Sequence, residues 1–180
     1  MKDSKKEIDE ILKEFPENIA QLFHHLQQET NTIARIDAKN SLEKMGKSIL
    51  PYLNKLLFVH DEMFRREVAK IMEFIADKTS IPVFIDLLED SDGGIRWTAA
   101  VGLISIGRDS IIPLLKAILD DENGSYFLRL GAHHAFESLF NDDEKITLKP
   151  LLLSLNNYLG MGETVSLETL HALKKFEQKE

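Results

Sequence analysis

A chain of 180 residues, 43% apolar and 29% charged, is long enough to bury a sizeable core and too apolar to be disordered throughout. A net charge of −8 argues against a broad nucleic-acid surface, which needs clustered basic residues. The absence of cysteine excludes disulfides, thiolate nucleophiles and Cys-containing zinc sites. The start Met1–Glu7 alternates charge where a signal peptide would be apolar, and no run approaches the roughly 18 apolar residues of a membrane span. A cytoplasmic protein with no membrane partner is expected.

From the N-terminus, Ile8, Ile11, Leu12 and Phe15 form one helical stripe and Ile19, Leu22, Phe23 and Leu26 a second, with Pro16 between them. Ser4 and Glu7 have the spacing of a capping box. A repeat follows. Pro51, Pro82 and Pro113 stand 31 residues apart, and each opens the same apolar pattern: Tyr52, Leu53, Leu56 and Leu57; Val83, Phe84, Leu87 and Leu88; Leu114, Leu115, Ile118 and Leu119. A looser copy opens at Pro150, after a spacing of 37.

Ahead of each proline lies another helical stripe. Arg35, Arg66, Arg96 and Arg129 each stand three residues before an alanine: Ala38, Ala69, Ala99 and Ala132. Leu42, Leu103 and Phe136 continue three of these stripes, and Glu73 breaks the second. Each unit therefore reads as a first helix, a short turn and a second helix led by proline, which is tolerated where N–H groups have no intrahelical partner. Gly46 and Gly107 suit the ends of first helices; Ser48, Thr79 and Asp109 suit the starts of the second ones. After Gly160 and Gly162, Leu167, Leu170, Leu173 and Phe176 define a last helix, with Lys174 and Lys175 near its C-terminus.

This pattern resembles the HEAT repeat, especially the short bacterial PBS-lyase HEAT-like type, and Gly94–Leu119 carries the resemblance best. It implies an all-α fold, a right-handed α-α superhelix (a HEAT-like solenoid) of about eleven helices. A single domain over residues 1–180 is expected, with capping helices in 1–30, about four helix pairs in 31–158 and a capping helix in 159–180.

The resemblance also implies that second helices line a concave binding face. The helical wheel turns Ile112, Leu115, Ile118 and Leu119 inward and Lys116, Ala117 and Asp120 outward. The outward positions elsewhere are Asn54, Lys55 and Phe58; Ile85, Asp86 and Glu89; and Leu153, Ser154 and Asn157. Phe58, Ile85 and Leu153 are apolar where solvent favours polar side chains. Trp97, the only tryptophan, aligns with Arg66 at a partly exposed position and joins the candidate interface.

The turns between repeats are acidic (Asp61-Glu62, Glu89-Asp90 with Asp92, Asp120-Asp121-Glu122, Asp142-Asp143-Glu144), which suits capping the next helix and pairing with the arginines. His133 and Glu137 share a helix face but find no obvious third ligand. No phosphate-cradling loop, nucleophile elbow or calcium loop occurs. No catalytic residue, metal or cofactor is assigned. The expected function is a non-enzymatic scaffold that binds another protein or peptide through the concave face; the alternative is a bilin-lyase-like chromophore chaperone, or another enzyme, using the same groove.

Overall fold

The protein is described by a computed structural model covering residues 2–28, 31–157 and 162–178. Among these residues the backbone is helical, with no strand. The α-helices are α1 (Lys2–Leu12), α2 (Glu17–Leu26), α3 (Thr32–Met45), α4 (Leu50–Leu56), α5 (Glu62–Ile75), α6 (Ile81–Leu87), α7 (Gly93–Ile106), α8 (Ile111–Asp120), α9 (Tyr126–Leu139), α10 (Asp142–Thr147), α11 (Lys149–Leu155) and α12 (Gly162–Glu177). The chain forms two compact units, Met1–Asp77 and Lys78–Glu180.

The first helices α3, α5, α7 and α9 share one register, set at the N-cap. Asn31, Asp61, Asp92 and Ser125 each accept a hydrogen bond through the side chain from the N–H three residues on: Ala34, Phe64, Ile95 and Leu128. Counted from the cap, the fourth residue is Arg35, Arg65, Arg96 or Arg129. The seventh is Ala38, Val68, Ala99 or Ala132, and the eleventh is Leu42, Met72, Leu103 or Phe136. All eight side chains at the seventh and eleventh positions are buried.

This corrects the second copy. Its repeat arginine is Arg65 rather than Arg66, and the core position assigned to Glu73 belongs to Met72. Glu73 stands one residue further along, half-buried, where desolvation raises its carboxyl above the usual range against the pull of Lys39 and Lys70.

The same count places the turn. The fifteenth residue after the cap is Gly46 (φ 58°), Ala76 (φ 46°) or Gly107 (φ 91°), each ending its helix with positive φ. A turn of 3-10 helix follows (Gly46–Ile49, Lys78–Ser80 and Arg108–Ser110), and the proline-led helix begins after it. Ser48, Thr79 and Asp109 lie inside these turns, and α4, α6 and α8 start without a side-chain cap.

In the fourth copy the fifteenth residue is Phe140, whose backbone is extended. Asn141 then caps a further helix through a full capping box with Glu144. That six-residue helix, α10, accounts for the longer fourth spacing and raises the count from about eleven to twelve α-helices among the described residues. Arg108 clamps the insertion, with Nη2 donating to Glu144 Oε1 at 2.8 Å and Nη1 to Oε2 at 3.0 Å.

In the first unit α2 packs on α3, and α3 and α4 pack on α5. Phe15 meets Phe23 and Tyr52 edge-on at 5.9 and 4.8 Å. Helix α1 begins at Lys2, so Ser4 does not cap it. Its Glu7 accepts instead from the His60 backbone N–H at 2.9 Å and faces the His60 ring, which holds the Glu7 carboxyl below its ordinary range.

In the second unit α7 packs on α6 and α9, and α12 packs on α8 and α11. The buried stripe of α8 is Ile111, Leu114, Leu115 and Ile118; Ile112 and Leu119, expected inward, are only half-buried. Gly102 lets α6 and α7 approach: a Cβ there would stand 2.5 Å from Cζ of the fully buried Phe84. Phe136, Phe140 and Phe176 stack in series, with centroids 4.8 and 5.6 Å apart.

Two substitutions test this register. Ala76→Gly removes the left-handed penalty of an L-residue, and we expect a gain of about 0.5 kcal/mol after the cost of the freer unfolded chain, read by urea titration. Gly102→Ala improves helix propensity by about 1 kcal/mol but drives Cβ into Phe84, at an overpacking cost of about 1–3 kcal/mol. A net loss is expected, recovered when Phe84→Leu is added, and thermal melts of the single and the double variant check it.

Candidate functional site

The residues expected on the second-helix face divide between the two units. In the first, Asn54, Lys55 and Phe58 are exposed, but Lys55 is engaged: its Nζ donates to Glu14 at 2.6 Å and lies 6.0 Å from the Phe15 ring, tying down the end of α1. In the second, Asp86, Glu89, Lys116, Asp120, Leu153 and Asn157 are exposed, whereas Ile85 is half-buried and Ser154 is buried. Lys116 faces Glu177 at 3.6 Å, and α12 lies along α8 and α11, so this face is shared with the C-terminal helix. Although Asp86 is exposed, partial desolvation by its surroundings and the neighbouring Glu89 raise its carboxyl above the ordinary range.

A second surface is built by the first helices α7 and α9. Trp97 is 59% exposed, and its ring stacks on His134 with centroids 4.4 Å apart. Arg96 lies over the Phe127 ring at 4.0 Å, a cation–π contact. Phe127 and Leu130 are 44% and 39% exposed; with His134 they occupy successive turns on one side of α9. Trp97 was singled out from sequence, whereas Phe127, Leu130 and His134 were not.

A signal for them existed. The second and fifth residues after each cap point outward, yet six of the eight (Ile33, Ile36, Met63, Trp97, Phe127 and Leu130) are exposed large apolar side chains, Arg66 and Gly94 being the other two. Apolar residues at outward positions in every copy are the pattern that proline-based alignment passes over.

The repeat arginines hold the turns before their helices. Arg65 Nη1 donates to Val59 O at 2.7 Å, and Arg96 Nη1 to Asp90 O at 2.7 Å; both acceptors lie two residues before the cap. Arg96 also donates to Ser91 O at 3.0 Å. Ahead of Arg129, the turn is closed differently, by Asp121, whose carboxylate accepts from the N–H groups of Asn123 and Ser125. Arg129 is only 7% exposed, and its Nε is buried without an acceptor.

His133 Nε2 and Glu137 lie 3.9 Å apart, and among the described residues no cluster of three or more His, Asp or Glu side chains is arranged to hold a metal. No single helix there is long and apolar enough to cross a membrane.

Fold and surface together define a helical-repeat protein of the solenoid class, with conserved geometry inside each repeat and chemistry carried on helix faces. Residues 53–137 match the family of HEAT repeats, so this span is similar to the repeats of that family. The matched span runs from α4 to the last turn of α9 and contains Trp97, Phe127, Leu130 and His134. Comparison with curated proteins gives no match. Proteins of this family generally act as non-enzymatic scaffolds that mediate protein interaction.

The contrast among arginines is testable by stability. Arg129→Met keeps the apolar stem and removes a buried unsatisfied N–H, so it is expected to stabilise by about 1 kcal/mol, a rise of roughly 2–4 °C in Tm. Arg96→Met breaks two hydrogen bonds and a ring contact and is expected to destabilise by at least as much.

Proposed function

We propose that this protein is a non-enzymatic binding scaffold that docks another protein or peptide through the Trp97 face of α7 and α9. The observation that carries this reading is the exposed surface of Trp97, Phe127 and Leu130, large apolar side chains that gain nothing from facing water, with the half-buried His134 stacked on the indole. Tryptophan is enriched among the few residues that dominate interface energies, since it buries much area at little conformational cost. Stacking on His134 restrains the indole before any partner arrives, which lowers the entropy cost of binding.

The second-helix residues Asn54, Lys55, Phe58, Ile85, Asp86, Glu89, Lys116, Asp120, Leu153 and Asn157 are a less favoured docking surface. Lys55 and Lys116 already have carboxylate partners, and Ile85 is half-buried.

The test compares affinity captures by the wild-type chain, Trp97→Ala and Leu130→Asp, with circular dichroism confirming that the variants are folded. A partner captured by the wild type should be lost by both variants, with affinity reduced by about 2 kcal/mol or more for Trp97→Ala. Capture that survives both substitutions, or that is lost only on Phe58→Asp or Leu153→Asp, would remove the proposal.

A further inference from the structure

We propose that the Trp97 face receives an acidic amphipathic segment of a partner protein, one that lays apolar side chains across Trp97, Phe127 and Leu130 and points carboxylates at the His134 side. The inference rests on the reading of this face as a docking surface and adds the chemistry of its occupant. Its basis is charge. The chain carries 30 acidic residues against 22 basic ones, yet α7 contains no acidic residue and α9 contains none before Glu137. On this face the protein offers an indole N–H and an imidazole, both able to donate, and the Arg96 guanidinium beneath Phe127 supplies positive potential.

A lysine- or arginine-rich segment lying along the helices would find no carboxylate on them before Glu137 to accept its donors. Between the acidic turns at the helix starts and Glu137, a carboxylate-bearing segment finds donors and no like charge. Nucleic acid fits less well. Several phosphates would have to be neutralised, while the two helices carry only two arginines, one of them 7% exposed, on a chain of net charge −8.

The acidic turns also set a polarity. Both helices start from acidic turns, Glu89-Asp90-Ser91-Asp92 before α7 and Asp120-Asp121-Glu122 before α9. Carboxylates of the occupant are repelled at that end and drawn toward His134, in the middle of α9. The apolar end of the segment then lies over Phe127, at the first turn.

The experiment uses the full chain and a short dye-labelled synthetic peptide in which leucine and phenylalanine are followed by a run of glutamates. Anisotropy measures affinity. Emission from Trp97, the only tryptophan, reports whether the site itself is occupied. Saturable binding with a change in Trp97 emission is expected. Replacing the glutamates by glutamines, or His134→Ala in the protein, should each weaken it about tenfold. Leu130→Asp should abolish binding.

Equal or tighter binding of a lysine version of the peptide would overturn the proposal. So would preferential binding of a single-stranded oligonucleotide, or indifference to His134→Ala. If no peptide binds while partner capture still depends on Trp97, the acidic chemistry is wrong and the docking surface stands. If capture is also indifferent to Trp97, both fall.

Discussion

Everything regular in this protein is counted from one hydrogen bond, the N-cap side-chain oxygen of each first helix accepting the N–H three residues on. Asn31, Asp61, Asp92 and Ser125 make it at 3.1, 3.0, 3.0 and 3.3 Å. Such a cap contributes about 1 kcal/mol, less than the roughly 1.5–3 kcal/mol from burying the large side chain at the eleventh position. Its weight lies in placement. One residue of slip turns a helix by about 100°, which would carry Met72 out of the core and bring Glu73 in. Cap and core stripe agree in all four copies, and that agreement sets the repeat.

The turn fifteen residues later decides whether a repeat closes or grows. Positive φ at Gly46, Ala76 and Gly107 reverses the chain at once into a 3-10 turn and the proline-led helix. The bulky Phe140 stays extended and is buried, so the chain runs on and Asn141 starts α10. A carboxylate is thereby buried with the insertion. Glu144, 2% exposed, serves both as the capping-box acid and as the partner of Arg108. Burying a charge costs several kcal/mol unless it is paired and hydrogen-bonded, and here both conditions hold.

The surfaces follow from what the helices leave over. Second helices bury most of their apolar stripe, and in the second unit α12 covers part of what remains. First helices keep large apolar residues at six of their eight outward second and fifth positions, which the core has no use for. On α7 and α9 these residues coincide with a stretch free of carboxylates, which gives an aromatic surface a chemical preference as well as an apolar character.

The helical class, the helix pairs and the second helices' proline starts were legible in the sequence, because they depend on periodicity and on the local conformational limits of proline and glycine. The exposed tryptophan was legible too. The second copy was misread by one residue because Arg65 and Arg66 are adjacent and only Arg66 has an alanine three residues on; sequence carries no measure of which arginine bonds the Val59 carbonyl. The helix hidden in the fourth spacing depended on one backbone angle at Phe140. The partnership of Trp97 with His134, 37 positions apart, and the burial of Arg129 were decided by the packing of α9 on its neighbours. Periodicity tells which side of a helix is apolar; only the packed neighbours determine which apolar residues stay in water.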